Sequence, residues 1–271
     1  MAAGEIAGRG LVLLGCGKMG SALLAGWLKA GLSPDDIWIL TPHPSGWLAG
    51  LGVHLNDGLP RDPAVAIIAV KPQKMAEALP VLEQFGNGDT LFISVAAGTT
   101  IASMASILGG RTPIVRAMPN TPAMVGRGIS GLCRNGSVSD PQFALARDLM
   151  AAVGEVVELD DESQIDLVTG ISGSGPAYVF YLIEALAAAG EAEGLPPDTA
   201  MRLARATICG AGELAWQSGD SAGQLRANVT SPGGTTAAAL QVLMDDRAGM
   251  APLMQRAVRA AISRSREMGR G

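Results

Sequence analysis

The chain has 271 residues, 48 % of them hydrophobic, and its 20 basic and 25 acidic side chains give a formal net charge of −5. This length can bury the core of one large domain or two modest ones, and the hydrophobic content excludes a disordered chain. The slight acidity provides no electrostatic footprint for nucleic acid or for an anionic membrane surface, so we expect neither as a partner.

The first 160 residues alternate short apolar runs, typical of buried strands, with stretches of helical periodicity. This alternation predicts a first domain over residues 1–160, built on a mostly parallel, doubly wound α/β sheet. The predicted strands are Leu11–Leu14, Ile37–Leu40, Val65–Val70, Leu91–Val95, Ile114–Ala117 and Val156–Leu159. The predicted helices are Lys18–Ala30, Lys74–Phe85 and Asp140–Val153. Gly31 follows the first helix at the position of a left-handed C-terminal cap.

A glycine-rich turn, GCGKMG at residues 15–20, follows the first predicted strand and opens the first helix. In this GxGxxG pattern, Gly15 permits a tight turn, Gly17 lets a pyrophosphate approach the backbone, and Gly20 allows close helix–sheet packing. The pyrophosphate then lies on the positive end of the helix, beside Lys18 and Met19. The pattern predicts a Rossmann-like dinucleotide site, with a merely glycine-rich turn as the structural alternative.

The end of the second predicted strand bears on the choice of nucleotide. NAD sites commonly place an acidic residue there to hold the ribose hydroxyls, and such a carboxylate would repel a 2′-phosphate. This chain has the sequence TPHPS at residues 41–45, without an acid and without an arginine. His43 and Ser45 are candidate phosphate donors, or ordinary turn residues. The sequence therefore favours NADPH and leaves NADH as the alternative.

Ligands of doubly wound sheets bind at the carboxyl ends of the strands. Val70 and Lys71 follow the third predicted strand, and Ala97 and Gly98 follow the fourth. Lys71 is a candidate contact to phosphate or ribose, although a solvated lysine is the alternative. We expect both segments to border the cofactor.

From residue 161 to 271 the sequence becomes alanine-rich with helical periodicity, which predicts an all-helical second domain. The predicted helices are Ala177–Ala189, Asp198–Gln217, Thr236–Asp245 and Pro252–Met268. These helices are apolar over broad faces, so we expect an obligate dimer, with a monomeric bundle as the alternative.

The second domain contains no lysine and no histidine. Reduction of a ketone normally needs a proton donor for the developing alkoxide, whereas a protonated imine needs none. Lys71, Tyr178 or Tyr181 could still donate, so this deficit favours imine reduction without proving it. The three dispersed cysteines match no zinc or dithiol spacing, and they suggest a reducing, cytoplasmic setting.

The segment TSPGGTT, residues 230–236, precedes a predicted helix. Hydroxyl groups and glycine amides at a helix N-terminus form a ready site for a small carboxylate. An ordinary capped helix start is the alternative. Two glycines and four hydroxyl residues in seven positions exceed what a cap needs, so we favour a substrate site.

Several motifs together resemble pyrroline-5-carboxylate reductase over nearly the whole chain. The most specific is NVTSPGGTTA at residues 228–237, which resembles the signature of that family. The GCGKMG turn, VKPQ at 70–73, MPNTP at 118–122 and SGSGPAY at 172–178 are also similar. The resemblance implies NAD(P)H-dependent reduction of 1-pyrroline-5-carboxylate to L-proline, by hydride transfer to the imine carbon. It also implies intertwined helical homodimers and their assembly into decamers.

The resemblance assigns roles to residues that the patterns alone do not. It puts Asn56, Ala69, Lys71 and Asn120 near the cofactor, and Met118 and Pro119 near the nicotinamide. The expected cofactor set is Gly15, Gly17, Lys18, Met19, Gly20, His43, Ser45, Asn56, Ala69, Val70, Lys71, Ala97, Gly98, Met118, Pro119 and Asn120. The expected substrate set is Ser231, Gly233, Gly234, Thr235 and Thr236. In it, the amides of residues 234–236 hold the carboxylate and the Thr236 hydroxyl, the expected catalytic group, meets the ring nitrogen.

Two other functions fit part of the sequence. A β-hydroxyacid dehydrogenase shares the glycine-rich opening and a helical second domain, but Val179 stands where its catalytic lysine is expected. A non-catalytic NADP(H)-binding regulator would bind the cofactor without turnover, and the intact substrate segment argues against it.

Overall fold

Eight short strands form one sheet in the order β3-β2-β1-β4-β5-β6-β7-β8. Every neighbouring pair is parallel except β6 and β7, which run antiparallel. The computed structural model describes residues 2–269, so the outermost ends of the two predicted domains lie outside it. The strands are β1 Leu11–Leu14, β2 Ile37–Leu40, β3 His54–Leu55, β4 Val65–Ile68, β5 Leu91–Ser94, β6 Ile114–Met118, β7 Gly128–Arg134 and β8 Gly154–Glu158. The predicted doubly wound sheet is therefore confirmed.

Helices follow most strands, as the crossover connections of parallel strands require. The α-helices before residue 174 are α1 Ala2–Ile6, α2 Lys18–Lys29, α3 Gly46–Ala49, α4 Met75–Ala78, α5 Ile101–Leu108, α6 Asp140–Ala151 and α7 Gln164–Val168. Short 3₁₀ turns cover Pro34–Asp36, Pro72–Lys74, Leu79–Phe85 and Thr121–Val125, and a π-helical turn covers Thr169–Gly173.

The core lies on both faces of the sheet, and the central strands β1, β4 and β5 are buried at every position. Burial on two faces explains why these strands are continuous apolar runs rather than alternating ones. Trp27 of α2 is also buried, and its indole N–H donates to the Leu149 carbonyl of α6 at 2.8 Å. Beyond α2, Gly31 has φ +94° and the Leu32 N–H donates to the Trp27 carbonyl, which confirms the left-handed cap.

Two parts of the first half differ from expectation. Residues 74–85, predicted as one helix, form a 3₁₀ turn, one α-helical turn and a second 3₁₀ stretch. Pro80 supplies the reason, because it lacks the N–H that a continuous α-helix needs there. Strand β7 was not predicted, since its sequence GISGLCR lacks the continuous apolar run used to identify the others.

The chain divides into two compact units, and Ser174–Ala261 forms the second one alone. The boundary lies at residue 173 rather than 160, because α7 packs on β6 and β7 of the sheet. The end of the last helix, from Ile262, belongs to the first unit. Helices of the second half are α8 Gly175–Ala192, α9 Pro197–Gln217, α10 Ala222–Asn228, α11 Thr235–Leu243 and α12 Met250–Met268.

The second unit buries few side chains of its own. Its buried cluster consists of Ala187, Ala200 and Ala204, whereas Phe180 and Tyr181 of α8 are 59 % and 70 % exposed. An apolar helix face of this kind is stable in water only when another surface covers it. Within residues 2–269, no helix combines the length and apolarity needed to cross a bilayer.

Candidate functional site

The glycine turn after β1 has the geometry that its pattern predicts. Gly15 has φ +90°, and a Cβ there would lie 2.8 Å from the Ala69 carbonyl oxygen. A Cβ on Gly20 would lie 2.6 Å from the Gly15 carbonyl oxygen. Both approaches are closer than real Cβ contacts, so glycine is required at each position for α2 to pack on the sheet.

The N-terminus of α2 is open to a ligand. Gly17 is the N-cap, no side chain caps the helix, and a Cβ on Gly17 would meet nothing within 4 Å. The first amide that bonds back into the helix is Ser21, whose N–H donates to the Gly17 carbonyl at 2.8 Å. The amides of Lys18, Met19 and Gly20 therefore have no acceptor among the described residues. Three free N–H donors at the positive end of a helix fit a dinucleotide pyrophosphate.

A cavity of about 450 Å³ lies beside this turn, at the carboxyl ends of β1, β2 and β4. Its walls are mainly apolar, and it lies at the edge where ligands of doubly wound sheets bind. The residues that line it are Leu14, Leu40, Thr41, Pro42, Asn56, Val70, Glu77, Ala78 and Val81.

Asn56 holds one wall of this cavity in place. Its side-chain oxygen accepts the Thr41 N–H at 2.9 Å, and its side-chain N–H donates to the Thr41 carbonyl, also at 2.9 Å. Asn56 has φ +52°, a left-handed conformation that asparagine tolerates better than most residues. Its amide is therefore bonded to the backbone where β2 ends. The next residues, including His43 and Ser45, are exposed, and no carboxylate lies among residues 41–46.

The other expected cofactor residues follow neighbouring strands at the same edge of the sheet. Ala69, Val70 and Lys71 come after β4, and Lys71 is exposed. Ala97 and Gly98 come after β5. A Cβ on Gly98 would lie 3.0 Å from the Met268 Cβ, so the end of α12 packs against this loop. No pattern in the amino-acid sequence predicted that contact.

Met118, Pro119 and Asn120 leave the end of β6, and Asn120 is buried. The Asn120 side-chain oxygen accepts the Ile129 N–H at 2.9 Å, and its side-chain N–H donates to the Ser172 carbonyl at 3.2 Å. This side chain thus joins β6, β7 and the π-helical turn. The resemblance to a known family assigned Asn120 to the cofactor, whereas its amide is bonded to the protein.

The segment before α11 is a helix start without a side-chain cap. Gly234 is the N-cap, Gly233 has φ +69°, and the Ala238 N–H is the first amide bonded into the helix, at 3.2 Å to the Gly234 carbonyl. The amides of Thr235, Thr236 and Ala237 therefore have no acceptor among the described residues. In contrast, Ser221 caps α10 of the same unit by accepting the Gln224 N–H. The start of α11, like those of α8 and α9, therefore has no side-chain cap.

One expected donor of this segment is already used. The Gly234 N–H, which the family resemblance assigns to the carboxylate, donates to the Ser231 carbonyl at 3.0 Å and so closes the turn. A tight turn needs that internal bond to bring the chain back to the helix axis. Among the described residues, the amides without an acceptor therefore begin one residue later, at Thr235.

Arg116 and Glu162 form a partly buried ion pair that no sequence pattern predicted. The Arg116 guanidinium Nη1 lies 2.7 Å from Glu162 Oε1, and burial together with that carboxylate raises the pKa of the Cys133 thiol to about 11. An arginine inside a predicted strand was the available signal for such a pair. Among residues 2–269, no cluster of histidine, cysteine and acidic side chains could hold a metal ion.

Two family models match this chain. The pyrroline-5-carboxylate reductase dimerisation model covers residues 162–268. The model described as NADP oxidoreductase, coenzyme F420-dependent, covers residues 10–98 and thus the glycine turn and its sheet. The first match identifies the helical half as a dimerisation domain, as its exposed apolar faces predict.

Relatives and solved structures agree with these models. The pyrroline-5-carboxylate reductase of Pseudomonas aeruginosa is 39 % identical over 264 residues, or 95 % of this chain and 96 % of the relative. That of Pisum sativum is 38 % identical over 95 % of each chain. The solved Coxiella burnetii enzyme has a TM-score of 0.88 and 34 % identity, covering 96 % of this chain and 98 % of that one. The Plasmodium falciparum structure, solved with NADP bound, has a TM-score of 0.81 and 31 % identity, covering 97 % and 98 %.

Proposed function

Because the chain belongs to the pyrroline-5-carboxylate reductase family, we propose that it reduces 1-pyrroline-5-carboxylate to L-proline with NADPH. The proposal is carried by one observation, the uncapped start of α11 with its free amides at Thr235 and Thr236. A small carboxylate is the ligand that such a helix terminus binds. NADPH, when bound, supplies the hydride that adds to the imine carbon.

The substrate carboxylate binds to the backbone N–H groups of Thr235 and Thr236, next to the turn formed by Ser231 and Gly233. A negative charge at this position gains from the helix dipole as well as from the two hydrogen bonds. This anchor fixes the ring so that its imine faces one direction. Such orientation lowers the barrier by removing motions that the free substrate would have to lose.

The Thr236 hydroxyl accepts a hydrogen bond from the protonated ring nitrogen. This bond keeps the nitrogen in its iminium form, in which the imine carbon is most electrophilic. The second half of the chain contains no lysine or histidine, in agreement with a substrate that already carries its proton. The chain's contribution is therefore orientation and a hydrogen bond rather than proton transfer.

The first unit holds the cofactor. Its pyrophosphate binds to the amides of Lys18 and Met19, and its adenine occupies the cavity between Thr41 and Val81. The exposed His43 and Ser45 donate to the 2′-phosphate, and residues 41–46 carry no carboxylate that would repel it. These assignments favour NADPH over NADH.

The oligomer is a homodimer formed through the helical half, and dimers assemble into a decamer. The exposed Phe180 and Tyr181 support the dimer, because a solvent-exposed aromatic face of this size is unfavourable in water. The proposed location of the protein is the cytoplasm. The free Cys16, Cys133 and Cys209 are in agreement with a reducing compartment.

The test is turnover of 1-pyrroline-5-carboxylate by the purified protein, followed by the loss of NADPH absorbance. Thr236→Val removes the hydroxyl at nearly constant volume, and we expect kcat to fall about 10- to 100-fold with unchanged NADPH binding. Thr236→Ser restores the hydroxyl and recovers most of kcat. A wild-type protein that consumes no NADPH with this substrate would refute the proposal.

A matched control tests whether the Thr236 result is specific. The Thr230 hydroxyl donates to the Arg226 carbonyl at 2.6 Å and is thus used within the protein. Thr230→Val removes a hydroxyl from the same segment, and we expect kcat to change less than about threefold. Equal losses of kcat in the two valine variants would assign the Thr236 effect to the segment's fold.

A further inference from the structure

Arg116 is a charged side chain buried in the middle of the sheet. It is 5 % exposed, with Ser94 of β5 paired on one side and Cys133 of β7 on the other. A buried guanidinium is unfavourable unless a counter-ion and hydrogen bonds compensate it. Glu162 supplies the counter-ion, with its Oε1 at 2.7 Å from Arg116 Nη1.

The same carboxylate oxygen has a second partner. Glu162 Oε1 accepts the backbone N–H of Ile101 at 2.8 Å. Ile101 is the first residue of α5, so the carboxylate lies at the positive end of that helix. One oxygen therefore links strand β6, the start of α5 and the segment that leads into α7.

Each of the three linked segments leads toward residues that the family resemblance places near the cofactor. Strand β6 ends at Met118, two residues after Arg116, and Asn120 follows. The loop that enters α5 contains Gly98. The segment after Glu162 reaches Ser172, whose carbonyl accepts the Asn120 side-chain N–H. The Glu162 carboxylate thus anchors all three segments.

The loop before α5 is also held from the opposite end of the sequence. The Ser265 hydroxyl donates to Asp166 Oδ1 at 2.6 Å, and Met268 packs on Gly98. Asp166 lies on α7, four residues after Glu162. The C-terminal end of α12 and the Glu162 anchor therefore constrain the same loop and the same helix.

We propose that Glu162, supported by Arg116, is a positioning residue that fixes the loop and strand end around the nicotinamide half of NADPH. This inference rests on the proposed function, because it takes the strand end at Met118 and Pro119 as the nicotinamide end of the NADPH site. Glu162 does not touch the reacting atoms. It acts through the Ile101 amide and the Arg116 guanidinium, which set the backbone on two sides of the site.

The first test compares two chemically identical substitutions. Glu162→Gln removes the charge from this anchor. Glu158→Gln does the same to the Arg147–Glu158 pair, whose 2.8 Å separation is similar but whose side chains are 49 % and 51 % exposed. We expect Glu162→Gln to raise the Kd of NADPH about fivefold, and Glu158→Gln to leave it unchanged. NADPH fluorescence titration of the folded protein, well below its melting temperature, measures both.

The second test removes the hydrogen bond between Glu162 and the start of α5. Ile101→Pro deletes the N–H that Glu162 accepts, at the first position of a helix, where proline is favoured. Thr100 precedes it with φ −82° and ψ 156°, a conformation that proline requires of its neighbour. Ile101→Ala is the control, since it also loses the isoleucine side chain but keeps the N–H. We expect the Kd of NADPH to be about threefold higher or more for proline than for alanine.

The KM values for the two ligands distinguish an effect on the cofactor site from a general loss of stability. The KM for NADPH should rise in Glu162→Gln and Ile101→Pro, while the KM for 1-pyrroline-5-carboxylate stays the same. The proposal is overturned if Glu162→Gln and Glu158→Gln differ by less than about threefold in Kd. If Glu162→Gln does not fold, the comparison of Ile101→Pro with Ile101→Ala decides instead. A difference of less than about threefold in their Kd values for NADPH then overturns the proposal. A wild-type protein that binds NADPH without turnover would instead refute the proposed reaction.

Discussion

Gly17→Ala separates cofactor binding from folding more cleanly than other changes in the glycine turn. Gly17 has φ −78° and ψ −159°, which any residue adopts, and its Cβ would meet nothing within 4 Å. The new methyl group would project into the space where the pyrophosphate approaches the amides of Lys18 and Met19. The variant should therefore fold normally and bind NADPH poorly.

The magnitudes follow from the local geometry. Alanine is a weaker N-cap than glycine, so we expect a loss of about 0.5–1 kcal/mol and a Tm lower by about 1–4 °C. A hydrogen bond to a charged group contributes about 1.5–3 kcal/mol, so losing one such bond raises the Kd of NADPH about 10- to 100-fold. The free energy of NADPH binding should thus change more than the free energy of unfolding.

Two alanine variants serve as controls for this prediction. In Gly20→Ala the Cβ lies 2.6 Å from the Gly15 carbonyl oxygen, so helix and turn must separate, at a cost of about 1–3 kcal/mol. A Cβ on Gly110 would meet nothing within 4 Å, so Gly110→Ala should change neither the Tm nor the Kd of NADPH. Calorimetry gives Tm, and fluorescence titration gives the Kd of NADPH. Our assignment of the pyrophosphate site is refuted if Gly17→Ala binds NADPH as Gly110→Ala does.

Three further predictions concern stability and assembly. Because burial, then the Glu162 carboxylate, raises the pKa of Cys133 to about 11 from 9.0, the unfolded thiol ionises first as the pH rises. The free energy of unfolding should fall between about pH 9 and 11, by about 3 kcal/mol in all, and Cys133→Ala should remove this part of the pH dependence in urea titrations. Trp27→Phe leaves the buried Leu149 carbonyl without its donor, so calorimetry should show a loss of about 1–3 kcal/mol while NADPH binding persists. Phe180→Asp should reduce the mass measured by light scattering to that of a smaller assembly, and an unchanged mass would contradict its role in the interface.

The local sequence pattern was sufficient to predict features that depend on one short segment alone. Strands β1 and β2 have the predicted bounds, and the GxGxxG turn has the predicted close contacts. The same holds for Gly31, whose left-handed cap depends on its own helix alone. Pattern failed for β7, because its pairing with β6 and β8, rather than its own periodicity, makes it a strand.

The amino-acid sequence by itself determined the sheet, the helical half and the two segments that carry the glycine turns. These features depend on periodicity and on residues close together in the chain, so they can be predicted from the sequence without coordinates. It also gave the resemblance to pyrroline-5-carboxylate reductase, which the comparisons confirm.

Only the tertiary structure decided which polar groups are free to bind a ligand. The Gly234 amide and the Asn120 side chain bond to the protein itself, whereas the amides of Thr235 and Thr236 have no acceptor among residues 2–269. It also brought Glu162 to Arg116 and to the start of α5. Hydrogen-bond partners and buried ion pairs join residues distant in sequence, so they are set by the folded chain and not by any local pattern.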